Sequence, residues 1–229
     1  MTNIEKIASI SESGNWQQLP ECLARMTNSE FRRLQQTVRE KILPGLDNQR
    51  FWEAYKHFVA YRPQAFLPGI VAIKHLADNG TLDFDNCHVE QIAKRLTAVQ
   101  KGKVVSMAIP YLKTDTQITG MFKALEYNAP ESQAIILANH TSTLAYYVLF
   151  KTLRNAPDNH QLCINICRHI MKKQDDLSFN MASLLREFFG LNEIKSQLSL
   201  NIEHYELSFI DTSFERFKYV VEGRRPFSL

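Results

Sequence analysis

The apolar residues of this chain recur at three- and four-residue spacing along most of its length, the period of a helix face rather than the alternation of a strand. The most apolar passage, Ala134 to Leu153 (AIILANHTSTLAYYVLFKTL), lies between Pro130 and Pro157. Pro130 suits a first helical turn, where its missing N–H would have no partner, and Glu131 favours the positive end of the helix dipole. Ala134, Leu137 and Ala138 follow at helical spacing. Asn139 to Thr143 then interrupt the pattern before Leu144, Tyr147 and Val148 resume it. One bent helix, or two meeting near His140, is expected. A short buried strand over Leu144 to Phe150 is the alternative that an apolar run leaves open; helical patterns on both sides argue against it. The polar middle is also wrong for a bilayer span, which takes about 20 predominantly apolar residues.

Before this passage, Ile4, Ile7 and Ala8 predict a short first helix, and Trp16 to Met26 a second beginning near Pro20. Thr27-Asn28-Ser29-Glu30 has the form of a capping box, in which the hydroxyl and the carboxylate each accept from a backbone N–H. Phe31, Leu34, Val38 and Ile42 make the stripe behind it, with Arg32, Arg33 and Arg39 outside and Pro44-Gly45 as the stop. After Asp47, a cap, Phe51, Trp52, Tyr55, Phe58 and Val59 fall on one amphipathic face. A further helix spans Ala65 to Ala77, kinked or restarted at Pro68-Gly69 and ended by Asn79-Gly80 in a left-handed cap. Three stripes follow: Val89, Ile92, Ala93 and Leu96; Val104, Val105, Ala108 and Leu112; and Ile118, Met121, Phe122 and Leu125.

Beyond the central passage, Leu162, Cys163, Ile166, Cys167 and Ile170 form one face and Leu177, Met181, Leu184, Leu185 and Phe188 another, ended by Gly190. Leu198 to Phe209 alternates as a strand would. Thr212-Ser213-Phe214-Glu215 reads as a second capping box, opening a last helix that Gly223 ends. These signals predict about eleven helices joined by short links, a pattern typical of antiparallel helical neighbours. The expected fold is all-α: one domain over residues 1–222, built from stacked antiparallel helical hairpins, with residues 223–229 as a loose tail. An irregular α-solenoid of the HEAT or armadillo type is favoured, and an irregular globular helical bundle is the alternative. Leu43-Pro44-Gly45-Leu46 and Leu67-Pro68-Gly69-Ile70 are alike, but no fixed period recurs.

With 229 residues, 45% hydrophobic and 22% charged, the chain has an ordinary globular composition and can bury a core. The first residues carry an acidic side chain and no apolar run of the length a secretory signal needs, so a cytoplasmic protein is expected. Four cysteines at irregular spacing fit reduced thiols there.

Sites are weakly signalled. His160, Cys163 and Cys167 fall on one side of a helix, but a zinc site is usually announced by two close ligand pairs, and both thiols sit inside an apolar stripe where cysteine packs as a small hydrophobe. Asn79 to Phe84 resembles half of an EF-hand loop, yet His75, Ala77 and Asn86 stand where carboxylates are needed. His88-Val89-Glu90 and His204-Tyr205-Glu206 match the H-x-E of zinc deaminases without the Pro-Cys-x-x-Cys that should follow. Phosphate-loop, dinucleotide, nucleophile-elbow and HExxH motifs are absent from the sequence. Asp175-Asp176, Asp83 with Asp85 and the histidines read as exposed or capping groups, and Trp52, Tyr146 and Tyr147 as core. No metal or cofactor is expected.

Charge is the one departure from background. Between Gln91 and Leu125 stand Lys94, Arg95, Lys101, Lys103, Lys113 and Lys123 against a single acid, Asp115, while the whole chain is only +3. Such a segment can form a basic edge for phosphates or an acidic partner, or a solvated face. A pI near 8.6 falls below the pI above about 9 of dedicated nucleic-acid domains. The expected function is therefore a non-enzymatic, helical-repeat-like scaffold or adaptor binding another protein away from membranes. Nucleic-acid binding through residues 91–125 and an enzyme with a dispersed site are the alternatives.

Overall fold

The computed structural model describes residues 2–38, 42, 45–61, 70–84, 87–156, 159–194 and 213–223. They form thirteen α-helices and, among the described residues, no strand. In order these are α1 (Asn3–Ser13), α2 (Leu19–Ala24), α3 (Asn28–Thr37), α4 (Asn48–Tyr61), α5 (Ile70–Asp78), α6 (Cys87–Ala93) and α7 (Ala98–Ala108). They continue with α8 (Asp115–Ala124), α9 (Pro130–Ala138), α10 (Thr143–Arg154), α11 (His160–Met171), α12 (Asp176–Phe188) and α13 (Phe214–Val221). The expected all-α class is the one found. The alternating run Leu198 to Phe209, Pro44, Pro68-Gly69 and residues 224–229 of the expected tail lie outside the described residues.

Local sequence explains most helix boundaries. Thr27 Oγ1 accepts from the Glu30 N–H at 3.3 Å and Glu30 Oε2 from the Thr27 N–H at 2.9 Å. Thr2 with Glu5 and Thr97 with Gln100 build the same reciprocal caps at α1 and α7. Asp47 Oδ1 accepts from the Arg50 N–H at 2.8 Å at the start of α4. Thr27→Ala should destabilise α3 by about 1 kcal/mol, the usual worth of an N-cap oxygen, read as a lower urea midpoint with an unchanged slope. At the last helix the cap falls one residue later than the Thr212 box implied: Ser213 Oγ accepts from the Arg216 N–H at 3.4 Å. Gly80 and Gly190 end α5 and α12 with φ of +67° and +61°, a backbone conformation that costs glycine nothing and other residues a clash at Cβ.

The central passage resolves into two helices rather than one bent one. Asn139 caps the end of α9, and Ser142, in extended conformation, opens α10 with its hydroxyl on the Ala145 N–H at 3.2 Å. Serine and asparagine compete with helical hydrogen bonding through their own side chains, so the polar interruption becomes a turn.

Contacts divide the chain into two compact units, Met1–Tyr127 and Asn128–Leu229. In the first, α1 packs on α2, then α2 on α4, α4 on α6 and α6 on α8, while α5 packs on α7. Its core centres on Phe51, Trp52, Tyr55 and Phe58 of α4, all buried. In the second, α9 pairs with α10 and α11 with α12. Across these pairs α9 meets α11 and α10 meets α12, and α13 lies on α10 and α12. Phe150 is fully buried, with the rings of Phe188, Phe189 and Phe217 at 4.7, 6.1 and 5.9 Å. Tyr146 and Tyr147 are core residues as expected. No helix among the described residues is long and apolar enough to cross a membrane.

Candidate functional site

The six cations of the basic segment are distributed over the α6–α7 turn, α7, the link before α8 and the end of α8. Two are engaged. Lys101 on α7 keeps only 13% of its side-chain surface exposed, and its Nζ lies 3.6 Å from Glu126 Oε2. Lys113 Nζ lies 3.1 Å from Asp78 Oδ1 at the end of α5, where Lys74 holds the other oxygen at 2.7 Å. The Lys74 and Lys113 ammonium groups hold the Asp78 carboxyl below its ordinary value. Lys94 and Arg95 in the turn after α6, Lys103 on the outer side of α7 and Lys123 in the last turn of α8 are exposed and have no ion-pair partner among the described residues.

Beside Lys123 is an open cleft of about 440 Å³ between the α5–α6 link, α6 and α8, lined by the carboxylates of Asp83, Glu90 and Glu126. Gly120 and Phe84 shape its wall: a Cβ on Gly120 would stand 3.4 Å from the Phe84 ring. The link itself is anchored from α4, because Trp52 Nε1 donates to the Asp83 carbonyl at 2.8 Å and Asn48 Oδ1 accepts from the Asp83 N–H at 2.8 Å. These three carboxylates all stand just outside residues 91–125 and face Lys123 across the cleft wall; Glu126 is shared with Lys101, so Asp83 and Glu90 give the wall its acidic character. None of its lining residues is a histidine or cysteine.

In the second unit a polar network joins the α9–α10 and α11–α12 turns. Tyr146 Oη and Ser178 Oγ are 2.7 Å apart, and Ser178 Oγ donates to Asp175 Oδ2 at 2.7 Å while its N–H donates to Oδ1 at 2.8 Å. Lys173 Nζ reaches Thr141 Oγ1 at 3.1 Å and Tyr146 Oη at 3.4 Å, and His169 Nε2 meets Asn139 Oδ1 at 2.8 Å. Tyr146 and Ser178 are fully buried, so their bonds tie hairpin to hairpin and present no reactive group to solvent. Burial pushes the Tyr146 phenol up and the Lys173 ammonium down. Asp175, read from sequence as a capping group, is the N-cap of α12.

Burial, and then the Lys173 charge, also hold the His140 imidazolium below its ordinary value near 6.5; burial does the same at His57 and His88 in the first unit. An imidazole that protonates less readily when folded makes the unfolded state the better proton acceptor, so stability falls as pH drops through the unfolded value. Urea midpoints should therefore be lower near pH 5.5 than near pH 7.5, and His140→Gln should lose part of that difference. A midpoint that does not fall would contradict the assignment.

Cys163 and Cys167 pack fully buried on α11, with the Cys167 thiol donating to the Ala182 carbonyl of α12 at 3.4 Å. Burial raises the two thiols to about 12 and about 11, far from thiolate chemistry. His160 turns instead to Glu193 at 3.2 Å. Among the described residues no three His, Cys, Asp or Glu side chains converge as a metal site requires.

The class defined by the fold is an all-helical protein. Compared with protein-family models, curated proteins and solved structures, the chain has no match.

Proposed function

We propose that the chain is a cytoplasmic helical-repeat scaffold that binds another protein. The observation that carries this reading is the packing order within each unit. In the first, the even-numbered helices α2, α4, α6 and α8 lie in succession with α5 on α7; in the second, α9 meets α11 and α10 meets α12. Contact with the next helix but one is how stacked hairpins form two layers. It favours a solenoid-type arrangement over an irregular bundle, and stacked layers of this kind offer long outer helix faces to partners. α13 closes the α10–α12 layer as a terminal cap would. Nucleic-acid binding ranks below this reading because two of the six cations are held by Glu126 and Asp78 and a third borders an acidic cleft, which thins the phosphate-neutralising charge.

The test is purification of the tagged chain from its native cell with and without nuclease. A protein partner that survives nuclease supports the scaffold. Loss of every companion on nuclease treatment, together with salt-sensitive binding of short oligonucleotides, replaces it with nucleic-acid binding.

A further inference from the structure

We propose that the outer ridge of α7, Val99, Lys103 and Met107, is the docking face for an acidic amphipathic helix of the partner protein; this rests on the scaffold reading above. Among the described residues the exposed large apolar side chains are Val99 (70%), Met107 (45%) and Ile135 (53%), and two of these three stand on α7 four residues either side of Lys103. Positions i, i+4 and i+8 lie along one ridge of a helix. Beside it the sequence places the small residues Ala98, Gly102 and Ser106 at the same spacing, which by helix geometry makes a furrow next to the ridge. Ridge and furrow at four-residue spacing are what a second helix interlocks with in the commonest helix-packing class. The opposite face of α7, Val104, Val105 and Ala108, is already buried, so the ridge is surface left over after folding.

Charge selects the partner's sign. From Gln91 to Thr114 the sequence holds no acidic residue, and Lys103, with Lys94 and Arg95 in the turn before α7, has no ion-pair partner among the described residues. Lys101, the other cation of α7, is neutralised by Glu126 and faces away from this role. A helix bringing Leu or Ile to Val99 and Met107 and a Glu to Lys103 would satisfy all three positions, and a basic helix would be repelled.

The test uses the full chain and three labelled designed peptides: an amphipathic helix with glutamates flanking its apolar stripe, the same helix with lysines, and the acidic composition with its apolar spacing scrambled. Fluorescence anisotropy should show the acidic helix binding at least about tenfold more tightly than either control, with Lys103→Glu abolishing that preference and Val99→Ser/Met107→Ser weakening binding by about tenfold. All three side chains are exposed, so the variants should keep the wild-type circular dichroism. Equal binding of acidic and basic peptides, or an acidic preference unchanged by Lys103→Glu, overturns the proposal. If the wild-type chain recovers protein partners from its cell and Val99→Ser/Met107→Ser retains all of them, this face is excluded while the scaffold reading stands. Recovery of no protein partner by the wild type removes the scaffold reading itself.

Discussion

Trp52→Ala is expected to cost the first unit about 3–5 kcal/mol, the range for removing a large buried aromatic and leaving a cavity. Trp52 is 1% exposed, with the Phe51 ring at 4.6 Å and the Phe84 ring at 5.7 Å. The substitution also removes the indole N–H that holds the Asp83 carbonyl and touches Asn48 Oδ1 at 3.2 Å. Packing and anchoring can be separated, because Trp52→Phe keeps most of the ring and lacks the donor. The lost hydrogen bond should cost about 0.5–1.5 kcal/mol, because the Asp83 carbonyl sits on an exposed residue and can turn to water. The chain has two tryptophans, and the second, Trp16, is buried in the same unit. Its fluorescence reports unfolding of residues 1–127 when Trp52 is gone. A loss under about 1 kcal/mol for Trp52→Ala would mean that the α4 face is not the core of this unit.

Phe150→Ala should be of similar size in the second unit, about 3–5 kcal/mol. Its ring meets Phe188 edge-on and lies near Phe189 and Phe217, so it joins α10 to α12 and α13. Edge and offset aromatic pairs contribute about 0.5–1.5 kcal/mol each beyond the area they bury, which places the loss for Phe150→Leu between wild type and alanine. No tryptophan lies in this unit, and amide hydrogen exchange along α10 and α12 is the appropriate measurement. Faster exchange confined to α13, with α10 and α12 unchanged, would show that the ring holds α13 in place without supporting the α10–α12 contact.

Either loss is large beside the roughly 5–15 kcal/mol total stability of a folded domain. The exposed ridge of α7 is different: Val99, Lys103 and Met107 bury little, so their substitution should leave both unfolding transitions where they are. That contrast separates residues that hold the fold from residues available to a partner.

What the sequence by itself determined was local. The stripes Phe51-Trp52-Tyr55-Phe58-Val59 and Val89-Ile92-Ala93-Leu96 are buried as their spacing required, because one helix face must leave water and the period identifies which. Thr27 with Glu30, Asp47 and Asn79-Gly80 mark helix ends, because caps satisfy backbone groups within a few residues of themselves. The reciprocal cap at Thr97 and Gln100 has the same spacing but was not among the expected helix starts. Between the one-helix and two-helix forms of Ala134 to Leu153, only the tertiary structure decided: Asn139 and Ser142 turn the chain and let α9 fold against α10. The same holds for charge. Lys101 and Lys113 look like Lys103 in sequence, but Glu126 and Asp78 reach the first two from other elements, and among the described residues no carboxylate pairs with the third. Helix period and capping are short-range and are written in neighbouring residues, whereas ion pairing, cleft formation and the face left exposed depend on which helices pack together, and that choice exists only in three dimensions.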